Sequence, residues 1–328
     1  MSGLSESVQA RVLEWYDDEA RELPWRSDPN PWAVLVSEFV LQQTQMVVGL
    51  AHWHRMMKRF PTIESMASSP VEDVLEAWQG CGYYARARNL HALAVEIASR
   101  EPSDLPSNPQ DLQNLPGIGP YTAAAIASIA FDYPVAAVDG NIRRIHAWIS
   151  AEERPKDRNI QMWADKSLLQ SRPGDWNQAL MELGATVCTP RRPSCGICPV
   201  EQICLATKTG DPTKFPAPRK RSSKKIDGHA LVIRTPSGIH LTQRNGPILG
   251  GLWGVPITED PEGLAMLCED HHVAKHRSVG RVRHAFSHRD WNLQVWVAER
   301  SDGGLDPNSV PISKLDERIL ERAGWVRA

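Results

Sequence analysis

Four of the six cysteines in this 328-residue chain, Cys188, Cys195, Cys198 and Cys204, fall within seventeen residues. Cys81 and Cys268 stand alone. Thiols at this density in a reducing compartment read as metal ligands rather than disulfides. The spacing is C-x6-C-x2-C-x5-C, with one C-x2-C pair where a usual structural zinc site has two, well apart in sequence. Four thiolates suit zinc or a 4Fe–4S cluster, and softness alone does not choose between them. The loop also carries Arg191 and Arg192, with no acid between Cys188 and Cys198, which makes it a candidate phosphate contact.

A second compact signal lies upstream, from Leu115 to Ile126. Pro116 and Gly117 mark a turn. Gly119 lets the backbone approach a ligand closely, Pro120 suits the first turn of a helix, and Ala123 to Ala130 is a small-residue helical run. Free amides at such a helix start form an anion site, and phosphate is the usual anion. Asp139 follows an apolar run, Pro134 to Val138, that would partly bury it. A phosphate clamp beside such a carboxylate points to chemistry on a nucleic acid. Yet 37 Lys and Arg against 39 Asp and Glu give a net charge of −2, so DNA affinity must come from local patches. No apolar run reaches transmembrane length and the N-terminus lacks a signal-peptide pattern, so a soluble, cytosolic protein with no membrane partner is expected.

At this length two domains are expected. Residues 1–208 show helical periodicity, short connections bearing Pro or Gly, and no strand alternation, the pattern of an all-α region. The expected helices include 31–44, 47–59, 71–79, 85–100, 120–130, 141–150, 158–171 and 175–183. Residues 209–227 read as a Pro-rich linker. Lys214 to Lys225 holds six basic residues and no acid, a charge that also suits a phosphate backbone. Over 228–328, strands at 229–234, 239–243 and 293–297 and helices at 261–269 and 312–323 predict a small α+β domain.

Within the helix expected over 31–44, Glu38, Gln42 and Gln45 fall at i, i+4 and i+7. They form a narrow polar stripe among Val34, Leu35, Val36, Phe39, Val40 and Leu41. Hydrocarbon around Glu38 would raise its pKa. From an ordinary value of about 4.3, keeping a Glu protonated at pH 7 costs roughly 3.7 kcal/mol, much of which burial can remove.

The cysteine spacing, following a glycine-rich helix–hairpin–helix and an Asp, is similar to that of the iron–sulfur DNA glycosylases of the endonuclease III superfamily. Leu23 to Arg26, Ser37 to Gln45, Gly80 to Asn89, Val138 to Asn141 and Met181 to Ala185 resemble, in order, the motifs of its adenine-specific, MutY-type branch. The resemblance implies a 4Fe–4S cluster on Cys188, Cys195, Cys198 and Cys204, structural and linked to DNA rather than hydrolytic. It implies that Glu38 protonates a flipped adenine, that Asp139 stabilises or captures the sugar cation, and that Tyr121 and Asn141 lie near the reacting sugar. Arg26 and Glu182 match adenine-pocket residues, Thr44 a contact to the opposite base, and Tyr83 and Gln42 wedge and gap-filling residues. Gly117 and Gly119 belong to the phosphate clamp. Bifunctional members carry a Lys, which forms a Schiff base and nicks the strand, where this chain has Tyr121. A monofunctional enzyme is therefore expected. Cys81 departs from the usual Leu of the branch.

Leu241 to Pro256 and Arg283 to His288 resemble the Nudix-like C-terminal domain of the same branch. The acids after Trp253 lack the dense arrangement of a working Nudix pyrophosphatase, so that activity is not expected. Phe286, Ser287 and His288 match a lesion-reading loop. Guanine offers an acceptor at N7; 8-oxoguanine carries N7–H, a donor, and an acceptor such as the Ser287 hydroxyl can separate the two.

The expected architecture is an all-α helix–hairpin–helix glycosylase region with a 4Fe–4S loop, followed by a small α+β Nudix-like domain. The expected activity is removal of adenine opposite 8-oxoguanine or guanine in double-stranded DNA, in base-excision repair. The expected setting is a monomeric protein of the bacterial cytoplasm, associated with the nucleoid. The alternatives are a bifunctional pyrimidine-lesion glycosylase/lyase, against which Tyr121 and the extra domain weigh, and a non-catalytic iron–sulfur DNA-binding protein, against which Glu38 with Asp139 weighs.

Overall fold

The computed structural model describes residues 2–217, 223–246, 249–286 and 289–326. Ahead of the cysteine loop it forms α1 (Glu6–Glu19), α2 (Pro24–Ser27), α3 (Pro31–Leu41), α4 (Met46–Arg59), α5 (Ile63–Ala67), α6 (Val71–Ala77), α7 (Ala85–Ala98), α8 (Pro109–Leu112), α9 (Pro120–Phe131), α10 (Gly140–Ser150), α11 (Asp157–Ser167) and α12 (Pro173–Thr186). The loop ends in α13 (Leu205–Lys208). Among the described residues no helix is long and apolar enough to cross a membrane. The chain divides into two compact units: Met1–Gln45, Thr62–Glu64 and Ala92–Arg219 in one, and Met46–Pro61, Ser65–His91 and Lys220–Ala328 in the other.

The first unit is built around α9, whose residues Thr122 through Ile129 are all buried. It packs against α3, α8 and α12. A Cβ on Gly174, in the first turn of α12, would lie 2.5 Å from the Ser128 carbonyl oxygen, so a bare backbone is what lets α12 approach α9. Trp148, Trp163 and Trp176 fill a neighbouring core with Ile142, Ile145 and Leu183. That core accounts for part of the chain's tryptophan content.

Helix α3 starts as its sequence dictates. Pro31 takes the first helical position and Asn30 Oδ1 accepts from Trp32 N at 2.9 Å. Its end differs from expectation. The helix stops at Leu41, Gln43 has φ of 56°, and Thr44 N returns to the Leu41 carbonyl at 3.2 Å. The polar stripe expected through Gln45 therefore does not form on one helix. Gln42 leaves it and donates through Nε2 to Thr122 Oγ1 on α9 at 3.3 Å, a tertiary partner that local periodicity does not register.

In the second unit, β1 (Lys224–Thr235), β2 (Gly238–Ile239), β3 (Thr242–Gln243), β4 (Trp253–Gly254), β5 (Ile257–Thr258), β6 (His276–Ala285) and β7 (Arg289–Glu299) accompany α14 (Leu264–Asp270) and α15 (Lys314–Arg322). The main sheet runs β2–β1–β7–β6, with β5 also on β1 and the β1–β7 pair parallel. Leu315, Ile319 and Leu320 of α15 meet Val232, Val282, Leu293 and Val295, while Leu267 and Cys268 of α14 meet Leu231 and Ile233. The single strand expected over 239–243 is two short ones in different sheets, β2 pairing with β1 and β3 with β4. In the helical part of this unit Gln79 Nε2 donates to the Ile312 carbonyl at 3.4 Å.

Candidate active site

Glu38 sits on α3 among the fully buried Val34, Leu35 and Val36, and is itself buried. Burial pushes its carboxyl from the ordinary 4.5 up to about 7; a hydrogen bond with Tyr121 pulls it down, and the charge of Asp139 adds to the rise. Tyr121 follows Pro120 in the first turn of α9. Burial, and then the neighbouring Glu38 and Asp139, hold its hydroxyl well above the usual phenol range, so it stays a donor at neutral pH.

Asp139 is the cap of α10. Its Oδ1 accepts from Ile142 N at 2.7 Å and its Oδ2 from Asn141 Nδ2 at 2.7 Å. Burial raises its carboxyl, while the Ile142 amide, Asn141 and the Arg144 charge all act to keep it ionised. Arg144, one turn further on, donates to Asn141 Oδ1 at 2.9 Å, to the Gly184 carbonyl at 2.5 Å and to the Cys188 carbonyl at 2.7 Å. Helix α12 comes so near here that a Cβ on Gly184 would lie 2.4 Å from Asn141 Cβ. The last turns of α3 and the starts of α9 and α10 thus gather an acid that holds its proton near neutrality, a phenol that bonds to it, and a second, buried carboxyl hydrogen-bonded to its own helix.

Family models match three segments of the chain. Residues 36–167 match the HhH-GPD superfamily of base excision DNA repair proteins, 229–324 a NUDIX domain, and 188–204 the iron–sulfur binding domain of endonuclease III. The rat adenine DNA glycosylase is 35% identical over 88% of this chain and 70% of its own length. The mouse protein of that name is 42% identical over 88% of this chain and 70% of its own. The adenine DNA glycosylase of Mycolicibacterium smegmatis is 41% identical, covering 71% of this chain and 82% of its own. The chain belongs to the adenine DNA glycosylase family. Among solved structures, a thermostable thymine-DNA glycosylase superposes with a TM-score of 0.57 at 24% identity, covering 61% of this chain and 95% of that one. A trapped endonuclease III–DNA intermediate gives 0.54 at 21%, over 62% and 95%. These two speak for the shared helical fold.

In this member of the family the four thiols line one cavity with Ile145, Trp148, Val187 and Val200. Cys188 and Cys204 are buried, while Cys195 and Cys198 are half-exposed. Among the described residues no three His, Cys, Asp or Glu side chains close on a single metal ion. Burial pushes the Cys188 thiol up to about 12 and Cys198 up to about 11, so a cationic centre is what stabilises thiolates there. Four soft donors around a cavity fit the 4Fe–4S cluster of the family, whose model spans these same cysteines.

Glu182 is buried on α12, and its oxygens are engaged by two arginines. Arg21 donates through Nε and Nη2 at 2.5 and 2.8 Å, and Arg26 through Nη2 at 2.8 Å. Arg26 also reaches Gln178 Oε1 at 3.2 Å and lies over the Tyr16 ring. Arg21 carries no motif signature and is visible only in the fold, as is Arg144; Gly184 lies within the Met181–Ala185 motif, but its close approach to Asn141 shows only in the fold. Gly117, with φ of 78°, and Gly119, the cap of α9, are both exposed, and nothing stands within 4 Å of a Cβ built on Gly119. Thr44 is half-buried in the turn after α3. Tyr83 is 49% exposed at φ of 49°. Phe286 packs tilted against His284 and edge-on against Trp291, with ring centroids 4.6 and 5.2 Å away. Ser287 and His288 lie outside the described residues.

Proposed function

We propose that this protein hydrolyses the N-glycosidic bond of adenine paired with 8-oxoguanine or guanine in duplex DNA, as a monomer and without nicking the strand. The observation that carries this is the pair Glu38 and Asp139: one carboxyl protonated up to about pH 7, beside one held by an amide, an amide side chain and an arginine. Breaking the bond to adenine leaves negative charge on the base and positive charge on the sugar. Glu38 gives its proton to the departing base. Asp139 faces the sugar cation until water adds to the anomeric carbon and loses a proton, leaving free adenine and an abasic site. The base must first leave the helix stack, at a cost of a few kcal/mol. Arg26, set by Glu182 and Gln178, serves the base pocket. Asn141 and Tyr121 position the two carboxyls, the Gly117–Gly119 turn holds a phosphate, and Gln42, Thr44 and Tyr83 contact the opened duplex. Phe286, Ser287 and His288 read the opposite base. The cluster is structural and connects the cysteine loop to the DNA.

Single-turnover cleavage of duplexes carrying adenine opposite 8-oxoguanine, guanine or thymine tests the proposal, each sample divided between alkaline and neutral work-up. Breaks after alkali alone, fastest opposite 8-oxoguanine, are expected. Breaks without alkali, or covalent trapping by borohydride, would overturn the monofunctional reading. Ser287→Ala is expected to shrink the preference for 8-oxoguanine over guanine, and an unchanged ratio counts against that loop.

A further inference from the structure

Between Asp270 and Asp290 the chain carries Lys275, Arg277, Arg281, Arg283 and Arg289 and no acid, although the whole chain is slightly acidic. The fold makes most of this segment one strand, β6, and puts that strand at the end of the main sheet. Arg281 and Arg283 stand opposite Gln294 and Asn292 of β7, on the face away from the core residue Val282, and both are exposed. Two residues apart on one face, they are about 6.8 Å from each other. A bulge between Ser278 and Gly280 shifts the register, so exposed Arg277, opposite Val297, emerges on the other face at the same free edge. Arg281 Nε bonds to Gln294 Oε1 at 2.9 Å, which aims the guanidinium without neutralising it. None of the three forms an ion pair among the described residues, whereas Arg289, at the start of β7 beside Phe286, pairs with Glu259 at 2.6 Å. The strand runs directly into Phe286.

We propose that the free edge of β6, through Arg277, Arg281 and Arg283, is a phosphate-binding rail that carries the DNA backbone up to Phe286. Arg281 and Arg283, backed by the neutral amides of Gln294 and Asn292, with Arg277 on the other face of the same edge, complement a chain of phosphodiesters. The row carries no base-reading geometry of its own, so it serves register and affinity rather than sequence. Charged side chains on an edge strand also block unwanted strand pairing, and that is the competing explanation for the row. The rail rests on the DNA reading proposed above.

The test is the salt dependence of binding to an undamaged duplex, measured with the full holoprotein and with its Arg277→Gln, Arg281→Gln, Arg283→Gln triple variant. Each lost phosphate contact lowers the slope of log K against log salt by about 0.9, so a fall of roughly 2 to 3 is expected. The corresponding triple Lys variant is expected to keep the slope, which separates lost charge from disturbed folding. An unchanged slope in the Gln variant overturns the rail, and self-association of that variant at unchanged slope assigns the row to edge protection. Wild-type protein that releases no adenine would sink the glycosylase proposal and leave the slope comparison intact. Full adenine release with an unchanged slope would sink only the rail.

Discussion

Arg144 donates to the backbone carbonyl of Cys188 at 2.7 Å while the same guanidinium holds Asn141 Oδ1 at 2.9 Å. Asn141 in turn donates to Asp139. The first cysteine of the cysteine loop and the Asp139 carboxyl are therefore linked through Arg144 and Asn141. Replacing Arg144 with Leu strands two carbonyls and frees Asn141. With each charge-assisted bond worth about 1.5–3 kcal/mol, a stability loss of a few kcal/mol is expected. Adenine release should slow and the cluster's visible absorbance should decay sooner under chelation. Wild-type rates in a folded Arg144→Leu protein would show that the tie is structural only.

Glu38→Gln is expected to bind the mispaired duplex nearly as well as wild type and to release no adenine. The same variant reads the buried carboxyl as a stability term. A folded-state value of about 7 against an ordinary 4.5 means the neutral form is favoured in the fold. This stabilisation is complete below the unfolded value and is lost as pH rises to about 7. Relative to Glu38→Gln, wild type should lose roughly 3 kcal/mol between those limits, at about 1.4 kcal/mol per unit. Denaturant titrations across that range check it; parallel curves would mean Glu38 is not held protonated.

Activity should follow the same proton. Release rates are expected to decline on the alkaline side, with a midpoint near Glu38's value of about 7. The hydrogen bond with Tyr121 acts to lower that value. Tyr121→Phe should therefore move the alkaline limb to higher pH, and a limb that stays put or moves down contradicts the bond's direction.

Gly184→Ala would set a methyl 2.4 Å from Asn141 Cβ, closer than real side chains approach. Either α12 or the start of α10 must shift, at a cost of about 1–3 kcal/mol. Since α10 carries Asp139 as its cap, the expected result is a large drop in release rate with duplex binding largely kept. A variant with normal kinetics would mean the helices absorb the methyl without moving Asp139.

Much of the site is legible before folding because its signals are short-range. The cysteine loop, the Pro-Gly turn into α9 and the helical placement of Glu38 among Val34, Leu35 and Val36 each depend on residues a few positions apart. Strand β6 illustrates the opposite case. One bulge and a single core valine leave almost no alternation to read, and pairing with β7 alone defines the strand.

By itself, then, the sequence determined an acid in an apolar helix, a phosphate-type turn, a later carboxylate and four clustered thiols. Spacing along a helix or loop is enough to specify those. Only the tertiary structure decided that α3 stops at Leu41, that Arg21 and Arg26 share Glu182, and that Arg144 spans from Asn141 to Cys188. The last two depend on groups from segments far apart in the chain, 161 residues for Arg21 and Glu182, whose contacts exist only once the core has packed. The shifts at Glu38, Tyr121 and Asp139 follow for the same reason. A pKa is set by what surrounds the group in space, and the chain's linear order leaves those neighbours unspecified.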